Sequence, residues 1–242
     1  MNFIQIVRAE QFPQKIIWQW RDTFAICIIP LILFNGFIFE QFFGNTVTVA
    51  LGDSIFRSIL FVIVCWLYKD MLIEHWHKYK HAFWRSTLLV IVGAIVLQLV
   101  ISLTKSVLPL TTSTDVVKES IDPAKVAFLS LFIISLGPLF TALLEDIIFR
   151  YTLLQKLFVQ PMVWRIILIL LNSILFGLIH YHNFDGNLIA TMSFMVAGLF
   201  LNLIYLWTRN IWHVLLIHFL NNAVLSLGGI ILLKILQTLS VV

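Results

Sequence analysis

The sequence predicts an all-α membrane protein, a polytopic transmembrane helical bundle with about seven or eight spans. Of its 242 residues, 60% are hydrophobic and only 12% are charged, whereas a soluble domain carries about 25% charged residues. The apolar runs are continuous over about 20 residues, the length that a helix needs to cross the hydrocarbon core, and they lack the alternation of barrel strands. We therefore expect membrane lipids as neighbours and no nucleic-acid partner.

Seven apolar runs are candidates for membrane-spanning helices. They cover residues 23–43, 54–73, 84–104, 126–150, 163–181, 187–207 and 211–239. The last run is long for one crossing, and a break at Gly228-Gly229 would raise the count to eight. Residues 1–22 predict an interfacial, amphipathic lead-in. No internal repeat divides the chain, so we expect one membrane domain with N-terminal helices in residues 23–125 and motif-bearing helices in residues 126–242.

The charges of the predicted loops alternate along the chain. Lys and Arg are concentrated in residues 1–22, 69–85 and 151–165 and at Arg209, whereas the intervening loops are neutral, mixed or acidic, such as those around Asp53, between residues 105 and 125, and at Asp185. Basic residues accumulate in cytoplasmic loops. This pattern predicts a multi-pass protein of the cell membrane with a cytoplasmic N-terminus.

Two acids and a base lie within the fourth predicted span, at Glu145, Asp146 and Arg150. A charged side chain in hydrocarbon costs at least a few kcal/mol, so an ionisable cluster there is a functional-site hypothesis. On a helix, Asp146 and Arg150 are at positions i and i+4 and can pair. Glu145 is rotated by about 100° from Asp146, which leaves its carboxylate free for another partner.

Two later spans carry polar pairs with the same spacing. Phe176 and His180 share one helical face, and His218 and Asn222 share another. Each histidine or the asparagine alone would be explained by an interhelical hydrogen bond. Purely structural roles for Glu145, His180 and His218 would need a separate explanation on each of three spans. Their joint presence therefore favours a functional site.

The three motifs together resemble, in order and spacing, those of the CAAX prenyl endopeptidases and the bacterial CPBP proteins, which include CAAX proteases and bacteriocin-processing or immunity enzymes. The resemblance covers about residues 126–225. The family pattern has a second glutamate where this chain has Asp146, which is one methylene shorter but still reaches Arg150. The resemblance implies hydrolysis, within the membrane, of a peptide bond in a membrane-associated peptide or a prenylated or otherwise lipidated protein.

The resemblance leaves two mechanisms open. In the first, Glu145 is the general base for a water held by His180, and His218 and Asn222 stabilise the developing oxyanion. In the second, Glu145, His180 and His218 bind Zn²⁺ and leave one position for water, because a Glu with two His is a known catalytic zinc set. Asp146 or Asn222 would then support the bound water or a ligand. We favour the first mechanism, since the sequence has no HExxH helix.

Two other functions fit the same composition. One is a non-catalytic membrane partner on this scaffold, such as a bacteriocin-immunity protein or a regulator of a membrane protein. The other is a small transporter with Glu145 and Asp146 as a proton relay, which the lack of an evident repeat pair disfavours.

Straight helices of the predicted lengths would not bring the candidate residues to one depth. Glu145 and His218 would lie in the cytoplasmic third of the bilayer and His180 near the far end of its span, a mismatch on the order of 10 Å at about 1.5 Å per residue. A membrane-entering connection at residues 151–165, a helix break at Gly137-Pro138 or displaced span ends would each remove the mismatch. We expect the site to be reached from the cytoplasmic side.

Overall fold

A computed structural model describes residues 2–108, 125–184 and 186–240, without the side chains of Thr238 and Ser240, and contains helices but no strand in these ranges. The helices are α1 (Phe3–Val7), α2 (Trp20–Phe42), α3 (Thr46–Leu67), α4 (Lys69–Lys80), α5 (Phe83–Val107), α6 (Phe128–Asp146), a π-helix (Ile147–Gln155), α7 (Met162–Leu178), a 3₁₀ turn (Tyr181–Phe184), α8 (Leu188–Thr208) and α9 (Ile211–Ser240). Asp185 and most of the predicted loop between residues 105 and 125 lie outside the described residues.

The predicted helical membrane bundle is confirmed. Within the described residues, six helical stretches are long and apolar enough to span a membrane, namely α2, α3, α5, α6 with its π continuation, α8 and α9. A seventh apolar helix, α7, has only 17 residues. Helix α9 continues through Gly228-Gly229, so this pair does not divide the last run into two helices.

The predicted second span and the predicted lead-in both differ from the structure. Helix α3 begins at Thr46 rather than at residue 54, because the Asn45 side chain accepts hydrogen bonds from the backbone N–H groups of Val47 and Thr48 at 2.8 and 3.3 Å. Asp53 therefore lies inside α3 and not in a loop. The lead-in contains only the short helix α1, and the remainder up to α2 is not helical.

The basic segments of the chain meet at one end of the bundle, which we call the basic end. The backbone N–H of Ala9 donates to the carbonyl of Arg209, and the Asn210 amide donates to the carbonyls of Val7 and His75. These contacts join the lead-in, α4 and the α8–α9 connection. The opposite end contains the α2–α3 turn and the residues between α7 and α8.

A second buried network at the basic end joins α2 to the segments that follow α3 and the π-helix. The Asp22 carboxylate is fully buried and accepts from the Tyr68 hydroxyl at 2.9 Å, and it also pairs with Lys156. Burial raises the pKa of Tyr68 well above its usual value, so its hydroxyl stays protonated and remains a donor. This network stabilises the basic end of the bundle and is separate from the predicted site.

Helix α6 is the central element and packs against α3 and α9. Pro138 lies inside α6 and has no backbone N–H, which frees the carbonyl of Ile134. The Ser54 hydroxyl of α3 donates to this carbonyl at 3.0 Å. Gly137 permits the close approach, because a Cβ there would lie 2.7 Å from Ser54 Oγ. Gly137-Pro138 thus does not break α6 and provides its contact with α3.

Candidate active site

Glu145 and His180 face each other across the centre of the bundle. Glu145 lies one residue before the end of α6, and His180 lies just beyond the end of α7. The Glu145 Oε1 to His180 Nε2 distance is 3.8 Å, which is too long for a direct hydrogen bond. His180 Nδ1 is 2.8 Å from the carbonyl oxygen of Phe176 and must donate to it, since a carbonyl only accepts. In the neutral imidazole, Nε2 therefore presents a lone pair towards Glu145.

Asp146 joins two other motif residues. Its Oδ1 lies 3.0 Å from Arg150 Nη1, in an ion pair whose atoms are not aligned for a hydrogen bond. Its Oδ2 lies 3.3 Å from His218 Nδ1. The side chains of Asp146 and Arg150 are both fully buried. The predicted Asp146–Arg150 pair is present, and His218 belongs to this pair rather than to Glu145.

Phe176 holds the buried arginine from the other side. The Arg150 guanidinium carbon lies 4.1 Å from the centre of the Phe176 ring, in cation–π geometry. The same ring lies 5.2 Å from the His180 ring and 5.9 Å from the His218 ring. Gly198 of α8 makes room for it, because a Cβ at Gly198 would lie 2.8 Å from Phe176 Cδ1. The need for Gly198 was not apparent from the sequence.

Glu145 and His180 lie at the same depth because two helices end at other residues than predicted, which removes the expected mismatch. The helix that carries Glu145 continues as a π-helix to Gln155, five residues beyond the predicted end, and α7 ends at Leu178 rather than at residue 181. The amide of Asn172 donates to the carbonyl of Phe149 at 2.9 Å and fixes the register of α7 against the π-helix. π-Helical segments are rare and are often found at functional sites.

A cavity of about 730 Å³ contains Glu145 and His180 in its wall. Asn222 also lines it, and its Nδ2 donates to the carbonyl of Pro138 at 3.3 Å. His218 is not among the lining residues. The structure thus brings Glu145, His180 and Asn222 to one cavity and places Asp146, Arg150, Phe176 and His218 behind its wall.

A second polar cluster lies at the same cavity, and the sequence interpretation missed it. We call it the Arg57 cluster. Asp53, Arg57 and Thr141 line the cavity, and Asn35 supports Asp53 from behind. Arg57 contacts α6 through Thr141 and lies on the cavity wall. Asp53 and Arg57 are at positions i and i+4, which is the same signal that drew attention to Asp146 and Arg150. It was overlooked because the second span was predicted to begin beyond Asp53.

The predicted zinc ligands do not form a metal-binding group in this arrangement. Within residues 2–108, 125–184 and 186–240, no three His, Cys, Asp or Glu side chains converge so that they could hold a metal ion. Glu145 and His180 face each other, whereas His218 turns to Asp146. We therefore derive no chemical step through a metal.

The cavity extends away from the basic end. Its wall includes Gly36 near the end of α2, Thr46 at the start of α3, and Asn183 after α7, all at the opposite end of the bundle. If the basic end is cytoplasmic, this part of the cavity lies away from the cytoplasm, in contrast to the predicted access from the cytoplasmic side.

One comparison with known proteins gives a match. Residues 127–224 match the family model described as Type II CAAX prenyl endopeptidase Rce1-like. The matched range includes every motif residue and confirms the family resemblance drawn from the motifs. No curated protein and no solved structure matches the chain.

Proposed function

We propose that this chain, whose residues 127–224 match the family model described as Type II CAAX prenyl endopeptidase Rce1-like, is an intramembrane endopeptidase in which Glu145 activates water. The observation that carries this proposal is the pair formed by Glu145 and His180, 3.8 Å apart in the wall of a cavity inside the bundle. A paired base and imidazole at a cavity of this size are typical of a hydrolytic site.

The geometry of the pair suits a bound water. Glu145 and the Nε2 lone pair of His180 both accept hydrogen bonds, and a water has two O–H groups to donate, one to each. Its own lone pairs then remain free to attack a carbonyl carbon. Glu145 takes the proton as the C–O bond forms and returns it to the leaving nitrogen as the C–N bond breaks. Asn222 has a second amide hydrogen that is free to donate to the developing oxyanion.

In this proposal the remaining motif residues hold Glu145 in place and do not contact the substrate. Asp146 and Arg150 form a fully buried pair directly after Glu145, and His218 Nδ1 donates to the second oxygen of Asp146. This arrangement fixes the end of α6, which orients Glu145. His218 is thus proposed as a positioning residue, because it contacts Asp146 and does not line the cavity.

The cavity wall suits a lipidated substrate. It contains many aliphatic side chains, among them Ile29, Ile32 and Leu33 of α2, together with a small number of polar groups. Such a wall can accept an acyl or prenyl chain next to a peptide segment. We propose a membrane-associated peptide or a prenylated or otherwise lipidated protein as the substrate class.

The test is cleavage of a quenched fluorescent peptide with an S-farnesyl cysteine near its C-terminus, by protein purified into lipid nanodiscs. Glu145→Gln removes the base at nearly constant shape and is expected to slow cleavage by about 10²- to 10⁴-fold. Glu40→Gln, at an exposed position near the end of α2, is the matched control and should cleave at the wild-type rate. A chelator arm reports any dependence on a metal ion. Cleavage by Glu145→Gln at the wild-type rate would contradict the proposed role of Glu145, and absence of cleavage by the wild type would favour a non-catalytic immunity or regulatory partner.

We also propose that the basic end is cytoplasmic, since basic segments are retained there. With Cys27 and Cys65 replaced by serine, Asn183→Cys in intact cells should react with a membrane-impermeant maleimide and Lys80→Cys should not. Both positions are exposed and lie at opposite ends of the bundle. The reverse labelling would place the basic end outside and the cavity on the cytoplasmic side.

A further inference from the structure

The Arg57 cluster holds an arginine in a fixed position in the wall of the cavity that also contains Glu145 and His180. Arg57 Nε donates to Asp53 Oδ2 at 2.6 Å, and Arg57 Nη1 donates to Thr141 Oγ1 at 2.9 Å. The Asn35 amide donates to the other oxygen of Asp53 at 2.8 Å. Each Asp53 oxygen thus has a donor, and two of the three nitrogens of the guanidinium are held in place. The cluster joins α2, α3 and α6.

The third guanidinium nitrogen of Arg57 has no such partner. In the part of the chain that the structure describes, no group accepts a hydrogen bond from Nη2, although the Arg57 side chain is about four-fifths buried. Arg57 is also a lining residue of the cavity. A charged donor that is fixed by its neighbours and open to a ligand cavity is a recognition group for an anion.

Thr141 sets the distance between this arginine and the proposed base. Thr141 and Glu145 are at positions i and i+4 of α6, so their Cβ atoms are about 5–6 Å apart on one face of the helix. Arg57 contacts Thr141 directly. The guanidinium therefore lies about one helical turn from Glu145, along the direction in which the cavity extends away from the basic end. An extended peptide covers this distance in about two residues, at about 3.3 Å per residue.

We propose that Arg57 is a carboxylate-binding subsite that anchors the substrate beside the bond to be cleaved. The proposal rests on the function proposed above and adds a residue outside the matched family range. A carboxylate is the expected ligand because its two oxygens match the geometry of a guanidinium donor. The carboxylate has two possible sources, the C-terminus of the substrate or an Asp or Glu side chain close to the cleaved bond.

Asp53 limits the strength expected of this subsite. It neutralises part of the charge of Arg57, so the subsite selects an anion by its remaining donor and by its fixed geometry. A hydrogen bond to a charged group is worth about 1.5–3 kcal/mol, which corresponds to about a 10- to 100-fold effect on affinity. The alternative role is a purely structural link between α3 and α6, which would not distinguish substrates by their charge.

The first measurement needs no change at Arg57. Two peptides with the same sequence and the same S-farnesyl cysteine, one ending in a free carboxylate and one in a carboxamide, are titrated against Glu145→Gln protein in nanodiscs, which should bind without cleaving. The acid is expected to bind about 10- to 100-fold more tightly than the amide. A third peptide, a carboxamide with Asp next to the C-terminus, identifies the source: recovered binding indicates a side-chain carboxylate. Equal binding of all three peptides, or binding of none, would contradict the subsite.

The second measurement assigns the preference to Arg57. Arg57→Gln should reduce the affinity for the acid and leave the affinity for the amide unchanged, whereas a structural link would weaken both. Arg57→Lys retains the charge and should keep part of the preference if the glutamine variant does not fold. Arg85→Gln, at an exposed position of α5, removes one positive charge elsewhere and should keep the full preference. An acid preference that survives both Arg57 changes would overturn the assignment.

These results separate the subsite from the proposed function. Wild-type cleavage by Glu145→Gln would remove the proposed catalytic role, and a lower KM for the acid than for the amide in that variant would still report on the subsite. Loss of cleavage in Glu145→Gln with equal binding of all three peptides would retain the protease and remove the subsite.

Discussion

The two polar clusters on the cavity differ most in how deeply their charges are buried. In the motif cluster, which consists of Glu145, Asp146, Arg150, His180 and His218, the side chains of the central ion pair are 0% exposed. In the Arg57 cluster, the side chains of the corresponding pair are 21% and 23% exposed. Both pairs have the same i, i+4 spacing and join an aspartate to an arginine. The same spacing therefore produces two different pairs. The fully buried Asp146–Arg150 pair organises the site, and the partly exposed Asp53–Arg57 pair is accessible to a ligand.

The largest stability difference between the clusters should follow removal of one carboxylate charge. Asp146→Asn leaves the Arg150 charge buried without a counterion, which costs about 3–5 kcal/mol. Asp53→Asn leaves an Arg57 side chain that is 21% exposed and borders the cavity, so the loss of stability should be smaller than for the fully buried pair. The free energy of unfolding of each variant in mixed detergent micelles measures the difference.

Asp146→Glu is the matched control for the motif cluster. It retains the charge and restores the residue of the family pattern, so its loss of stability should be smaller than that of Asp146→Asn. An equal loss of stability in the asparagine variants at positions 146 and 53 would show that burial does not distinguish the two pairs.

A smaller effect is expected from the packing that supports Arg150. Gly198→Ala places a Cβ 2.8 Å from Phe176 Cδ1, so the ring that covers Arg150 must move. Overpacking of this kind costs about 1–3 kcal/mol, and the displaced ring should also lower the rate of cleavage. Gly228→Ala is the control, because a Cβ there meets nothing within 4 Å and alanine is favoured in a helix interior.

Unfolding and peptide cleavage, measured for both alanine variants, test this packing. Gly228→Ala should be neutral or slightly stabilising and should cleave at the wild-type rate. If Gly198→Ala behaved in the same way, the contact between Phe176 and Arg150 would not be needed to hold the motif cluster.

The sequence was sufficient for the bundle and for the motif residues because their signals are local. Continuous apolar runs predict helices, and an i, i+4 spacing predicts a shared face. The pairing of His218 with Asp146 could not be predicted, since it depends on how α9 is rotated against α6. The depth of His180 depends on the π-helix and on the true end of α7, and neither has a distinct sequence signal.

The Arg57 cluster shows how a boundary error can hide a site. Asp53 was assigned to a neutral loop because the apolar run was taken to begin after it, yet Asn45 caps a helix that begins eight residues earlier, at 46 rather than 54. With that boundary, Asp53 and Arg57 are two charges inside a membrane helix. The same rule that identified Glu145 and Asp146 would then have identified them.

The most direct test of the proposed chemistry is a double-mutant cycle on Glu145 and His180. Cleavage of the farnesylated peptide is measured for wild type, Glu145→Gln, His180→Ala and the double variant, with long incubations and mass spectrometry to detect slow residual rates. If both residues hold the same water, each single change should cost about 10²- to 10⁴-fold, and the double variant should be no slower than the slower single variant. Wild-type cleavage by Glu145→Gln, or losses that multiply in the double variant, would contradict a shared catalytic water.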